Sequence, residues 1–267
     1  MKNVEDFYDD SVDYEWNRLN RHKIEFDITK RYLEKYINTG SKVLDIGGGP
    51  GRYSIYLTKK GNKVTLVDLS KKNVEMAKEK SQKENLNLEG YIHSNVLHLS
   101  ENVDKKYDVV LCMGPLYHLI KKKNRIKAIK ECLKVLKKDG ILIATFISAF
   151  APIIDFIKNY PEEIVNYKKE FLINYIENGK NIVSEDNPGF TNAYFINPSE
   201  IEKFMDKFKM KKVIISGIEG IPAQSEKKLY KLSEKAYNEW IDLIFEISKD
   251  PSTWGSCEHM IYIGRKK

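Results

Sequence analysis

The chain has 267 residues, 42% hydrophobic and 31% charged, enough to bury a full core as one domain with insertions, so a second independent domain is not required. Its longest uncharged run, residues 141–154, contains Pro152 and falls short of the roughly 20 residues that span a bilayer, which argues against a membrane protein. The formal charge of +7 is concentrated between residues 41 and 150, and only six of the 45 basic residues are Arg, whose planar fork phosphate and base recognition favour, so a nucleic-acid partner is disfavoured.

In chain order, the N-terminal forty residues begin with an aromatic, acid-rich cluster, Tyr8, Tyr14 and Trp16 among Asp9, Asp10, Asp13 and Glu15. A helix follows, with Ile24, Ile28, Tyr32 and Tyr36 four apart. Val43 to Ile46 reads as a strand that runs into Asp45, Gly47, Gly48, Gly49 and Gly51 and then a helix over residues 53–60. Glycines in that pattern let the backbone bend through positive φ and approach a ligand that any Cβ would obstruct. The helix start beyond them points free N–H groups at the same spot. Gly61-Asn62 turns the chain into a second strand, Val64 to Val67, which ends at Asp68 and Leu69. A carboxylate at that strand end can accept both hydroxyls of a ribose. Ser70 is placed to cap the helix over residues 71–83, which leaves Asp68 for a ligand.

Gly90 to His93 and Val109 to Cys112 are the next two strands. A helix with Ile126, Ile129, Leu133 and Leu136 on one face is expected to stop at Gly140, before a fifth strand, Ile141 to Phe146. Residues 212–216 and 259–263 supply two more strands. Two further helices carry apolar stripes, Ile164, Tyr167, Phe171 and Tyr175 in one, and Leu229, Leu232, Ala236, Trp240, Leu243 and Ile247 in the other. Alternation of strand and helix predicts an α/β fold, a doubly wound, mostly parallel sheet with helices on both faces. Ligands of such sheets lie beyond the strands' carboxyl ends, so the helical segments outside the sheet are expected to cover that edge as lids.

The glycine turn does not satisfy G-x-G-x-x-G, because Arg52 stands three after Gly49 and Ser54 three after Gly51. Asp45 to Gly51 instead follows acid-x-Gly-x-Gly-x-Gly and resembles class I S-adenosylmethionine (SAM)-dependent methyltransferases, in particular their small-molecule branch. The resemblance runs over roughly residues 43–147. It implies a seven-stranded sheet with an antiparallel last strand inserted in it, SAM as cofactor with S-adenosylhomocysteine (SAH) as product, and a small-molecule methyl acceptor. Asn95 stands where the family often has an acid for the adenine amino group. Its amide oxygen can still accept, and the next backbone N–H, that of Val96, meets the ring. Residues 107–113 look like the family's fourth strand, ending at Met113, and residues 114–119 like the loop bordering the transfer site.

The division expected is residues 1–40 as an N-terminal lid, 41–147 as core, 148–200 as lid insertion, 201–217 as core, 218–256 as second insertion and 257–267 as final strand. His118 is the candidate base, Tyr8, Tyr14, Trp16, Tyr117 and Tyr194 candidate acceptor contacts, with Gly189-Phe190 beside the last. Gly114-Pro115-Leu116-Tyr117 is similar to the Asn/Asp-Pro-Pro-Tyr loop of enzymes that methylate exocyclic amines, but lacks the oxygen at its first position. An NAD(P)-dependent oxidoreductase and a non-catalytic cofactor-binding protein are the alternatives. Three cysteines without C-x-x-C spacing indicate neither a disulfide framework nor a zinc site, and the acidic, aromatic N-terminal stretch is not a leader, so a cytoplasmic location is expected.

Overall fold

A computed structural model describes residues 4–183 and 191–267; Gly189, Phe190 and the Tyr167 side chain lie outside the described residues. The strands are β1 (Lys42–Ile46), β2 (Lys63–Asp68), β3 (Gly90–His93), β4 (Tyr107–Cys112), β5 (Leu136–Ile147), the two-residue pair β6 (Lys180–Asn181) and β7 (Ala193–Tyr194), β8 (Met210–Gly217) and β9 (His259–Lys266). Seven of them form one sheet in the order β3-β2-β1-β4-β5-β9-β8. β1 to β5 are parallel, whereas β9 runs antiparallel between β5 and β8. Central strands such as Val43-Leu44-Asp45-Ile46 are buried on both faces, which is why they read as continuous apolar runs rather than alternating ones.

Helices α1 (Val4–Asp10), α2 (Val12–Arg21), α3 (Lys23–Tyr36), α4 (Arg52–Lys59), α5 (Lys71–Lys83), α6 (Leu99–Asn102), α7 (Pro115–His118) and α8 (Lys122–Val135) come before the fifth strand. After it come α9 (Ala151–Asn159), α10 (Ile164–Asn178), α11 (Ile201–Met205), α12 (Glu226–Leu229) and α13 (Glu234–Ile247). Leu44, Val110, Leu142 and Tyr262 pack on one face against Ala128, Ile129 and Cys132 of α8 and Phe204 of α11. Val43, Leu111, Ile143 and Ile261 pack on the other against Ile24, Ile28 and Tyr32 of α3 and Tyr237, Ile241 and Ile244 of α13. A smaller cluster, including Ile147, Leu172, Tyr175 and Phe195, joins α10 to the end of β5. No helix among the described residues is long and apolar enough to cross a membrane.

Three expectations are corrected. The helix before β5 stops at Val135, and β5 begins at Leu136, so Gly140 lies within the strand. The partners shift there from Tyr107↔Leu136 to Val109↔Ile141, and the extra residues are absorbed in an irregular stretch of the strand with Asp139 at φ 59°. α3 and α13 are not lids, because each buries its apolar stripe in the sheet face and against the other. In α13 the buried stripe is Tyr237, Ile241 and Ile244, while Trp240 and Leu243, and Leu232 just before the helix, are exposed. Two stripes at helical spacing compete in that segment; Ser233 caps the helix by accepting from the Ala236 N–H, and packing against α3 and the sheet face buries the stripe of Tyr237, Ile241 and Ile244.

Candidate active site

The glycine turn follows from β1 directly. Gly47 and Gly49 sit at φ 72° and 55°, and Gly51, at 92°, opens α4. The N–H groups of Gly47 and Gly48 both donate to the Val67 carbonyl, at 2.8 and 3.2 Å, which pins the turn to β2. A Cβ on Gly47 would lie 2.6 Å from the Pro115 ring, and one on Gly48 2.9 Å from Leu66. Asp45 braces the turn from beneath, accepting from the Ser54 hydroxyl at 2.7 Å, and burial pushes its carboxyl up to about 6. Neither Asp45 nor Gly51 lines the cavity that opens above, so both shape the cradle rather than touch its contents.

That cavity, of about 260 Å³, is close to the lower end of the ~300–1,000 Å³ usual for small-molecule sites. Gly47, Gly48, Gly49, Asp68, Leu69, Asn95, Val96 and Met113 all line it, as expected of a nucleoside site at the strands' carboxyl ends. Asp68 is not left loose by the Ser70 cap. Ser70 does cap α5, yet the Asp68 carboxylate accepts from the Gly49 and Ser70 N–H groups, each at 2.8 Å. Burial raises its pKa against those bonds. A carboxylate has about four acceptor sites, so it retains capacity for ribose hydroxyls while held in place. The Asn95 amide oxygen is partly engaged as well, accepting from the Leu97 N–H at 2.9 Å.

The N-terminal helices close the other side. Tyr8 Oη lies 2.9 Å from His118 Nε2, and Thr191 Oγ1 lies 3.1 Å from Nδ1. Burial pushes the His118 pKa down to about 4, so the ring is neutral at pH 7. Burial also raises Tyr8 and Tyr117, keeping both phenols protonated. Asp9 ties the lid to the start of α5, accepting from the Ser70 hydroxyl at 2.5 Å and the Lys72 N–H at 3.2 Å.

Of the expected acceptor contacts, Tyr8, Tyr117 and His118 line the cavity. Tyr14 is 64% exposed beneath the Arg21 guanidinium, 3.8 Å from its ring centre, and does not reach it. Trp16 holds Arg52 through its carbonyl, outside the cavity lining. Tyr194 packs under Arg125, 3.4 Å from the ring centre, and is likewise absent from the lining.

Glu15, Arg18 and Tyr53 line the cavity without having been singled out in the sequence. Arg18 donates to Glu15 at 3.0 Å and forks onto both oxygens of Glu25 at 2.7 and 2.9 Å. Burial alone would raise Glu25, but Arg18 and His259 hold it down at about 2. Burial would lower His259, but Glu219 and Glu25 lift it to about 9. Glu25, Glu219 and His259 bring three ligand-type atoms within 4.8 Å of one another. With both Glu25 oxygens on Arg18, this is a buried ion-pair network rather than a metal centre.

Residues 43–140 match the methyltransferase domain family, the span that carries the glycine turn, Asp68 and the end of β4. The chain carries a SAM-dependent methyltransferase domain over that span. A relative of this methyltransferase, the ubiquinone biosynthesis O-methyltransferase of Coxiella burnetii, is 28% identical over 197 residues, 73% of this chain and 75% of that protein. A SAM-dependent methyltransferase of Methanosarcina mazei superposes with a TM-score of 0.57 at 17% identity, covering 88% of this chain and 96% of the other. The magnesium protoporphyrin IX methyltransferase of Synechocystis, solved with bound SAH, gives 0.57 at 15% identity over 99% and 98%. At those identities the structural likeness speaks for the fold. SAM is the methyltransferase's cofactor, and the cradle fits it, since a side chain at Gly47 or Gly48 would collide with its surroundings at the cavity wall.

Proposed function

We propose that the enzyme transfers the methyl group of SAM to a nucleophilic O, N or S atom of a cytoplasmic small molecule, beneath a lid made by α1 and α2. The observation that carries this reading is one cavity lined at once by the nucleoside cradle and by the Tyr8–His118 pair. Gly47, Gly48, Gly49, Asp68, Leu69, Asn95, Val96 and Met113 would hold the cofactor, which supplies an electrophilic methyl on a sulfonium. Tyr117, beside Gly114 at the end of β4, and Tyr8 border the space left for the acceptor.

Displacement at carbon requires nucleophile, methyl and sulfur in line, and holding them so is worth up to ~7–11 kcal/mol of the barrier. A lid that excludes water serves that end. For an acceptor that must lose a proton, His118 is the terminal base. Its Nε2 lone pair accepts from the Tyr8 hydroxyl, so the acceptor's proton passes to Tyr8 oxygen as the Tyr8 proton passes to His118. Thr191 Oγ1 can accept from an Nδ1–H, the tautomer this requires.

An oxygen acceptor is the first to test, because the Coxiella relative is named for O-methylation. Purified protein should convert SAM to SAH with one member of a panel of phenols, amines and thiols. His118→Ala and Tyr8→Phe should each lower turnover about 10²–10⁴-fold while leaving SAH affinity within twofold. Wild-type turnover in both variants would return the pair to a packing role.

A further inference from the structure

The candidate base stands on a short support. His118 ends α7, a helix of one turn, and a single turn leaves its last carbonyls without partners of its own. The chain then passes through residues 119–121 into α8, with Leu119 at the cavity wall. Arg125, in the first turn of α8, holds that passage. Its Nη1 donates to the Leu119 and Ile120 carbonyls at 2.6 and 2.8 Å. The residue is 6% exposed, and its guanidinium lies 3.4 Å from the centre of the Tyr194 ring.

Tyr194 belongs to the segment on the other side of the imidazole. Thr191, three residues before it, is the group at Nδ1, and the Asn192 backbone bonds the ring as well. Asn181 of β6 holds this segment from behind, donating to the Thr191 carbonyl at 2.8 Å and accepting from the Tyr175 hydroxyl of α10 at 3.0 Å. Arg125 thus grips both neighbours of His118 at once, the turn that follows it and the segment that faces it. Burying a guanidinium is costly. Two carbonyl dipoles and an aromatic face offset that cost, and a planar group meets the first through its N–H edge and the second over its face, as a lysine ammonium cannot.

We infer that Arg125 is a positioning residue for methyl transfer: by joining the Leu119–Ile120 turn to Tyr194, it sets the His118 ring where Nε2 meets Tyr8. This rests on the reading of His118 as terminal base. Arg125 stands outside the cavity lining, and the glycine turn and Asp68 are braced by other groups. Misplacing a reacting group by about 1 Å can cost ~10²-fold in rate, so loss of the clamp is read in turnover and not in cofactor affinity.

The ring itself reports its placement. Burial pushes His118 down to about 4, and the titratable groups that face it, Tyr8 from α1 and Tyr117 within α7, are phenols that burial keeps protonated. With the five histidines labelled at a ring carbon for NMR, and His118 assigned by the signal lost in His118→Gln, wild-type protein should show a His118 resonance that does not titrate between pH 5 and 8. In Arg125→Lys and Arg125→Gln the loosened, better solvated ring should titrate within that range, toward the ordinary value of about 6.5. With the acceptor found in the panel above, kcat should fall about 10–10²-fold in both variants, while SAH affinity stays within twofold and shows that they are folded. A clamp that serves stability alone would lower the unfolding temperature and leave both the titration and kcat as in wild type, which would overturn the role. A moved titration with wild-type kcat in the Arg125 variants and in His118→Ala would instead overturn His118 as the base.

Discussion

Gly47 is the most constrained residue in the cradle. Its φ of 72° disfavours any side chain, and an added Cβ would meet the Pro115 ring at 2.6 Å. Gly47→Ala is expected to lose about 1–3 kcal/mol of stability and most SAH affinity, read by thermal unfolding and calorimetry together; wild-type values for both would show that the turn relaxes at no cost. Asp68→Ala should weaken SAH at least tenfold, and an unchanged dissociation constant would remove Asp68 from the ribose site. These residues were legible in the sequence because their constraint is local: a backbone bend and a strand end both leave a mark within a few positions. Glu15 and Arg18 left none, since an acid and a base three apart on a helix look the same whether they face water or a ligand. Tyr14 and Tyr8 were equivalent for the same reason. Only the packing of α1 and α2 on the sheet edge sends Tyr8 inward to His118 and Tyr14 out to solvent.

At the scale of elements, the network from α2 through α3 to β9 joins the lid to the core. Glu219 sits in the turn after β8 and bonds both the backbone N–H and the ring of His259, at the start of β9. The groups nearest that ring are Glu219 and Glu25, with Arg18, Glu258 and His22 also in electrostatic reach. The His259 pKa rises from an ordinary 6.5 to about 9 on folding, so its contribution to stability is full below pH 6.5 and is lost as pH rises through 9. Glu25, lowered to about 2, contributes above its ordinary pKa and loses that contribution as pH falls toward 2. His259→Gln should therefore destabilise the protein at pH 7, and the difference from wild type in denaturant unfolding should shrink as pH rises to 10. A difference independent of pH would mean that the His259 charge contributes nothing. The sequence showed His259 beside Glu258, its neighbour in the chain, yet the partner that matters is forty residues away. Pairings of that kind, like the frame of α13, are set by tertiary contact and not by local pattern.

Over the whole molecule, the strand order β3-β2-β1-β4-β5 puts the ends of β1, β2, β3 and β4 side by side, and every expected cofactor contact derives from that adjacency. The parallel core was readable because each strand is a short apolar run between turn signals and each crossover is a helix. Of the covering segments, α3, α10 and α13 were readable as helices but not as positions, whereas α1 and α2, which cover the cavity, were legible only as an aromatic, acid-rich cluster; α9 and α10 build their own small core beside Tyr117. The central claim is that this edge holds SAM with its reactive carbon turned toward Tyr8, Tyr117 and His118. A crystal structure of the protein with SAH tests it most directly. The account predicts the ribose hydroxyls on Asp68, the adenine at Asn95 and Val96, and the thioether sulfur facing the Tyr8–His118 pair. SAH bound elsewhere, or the cradle closed by the protein's own side chains at saturating SAH, would contradict it.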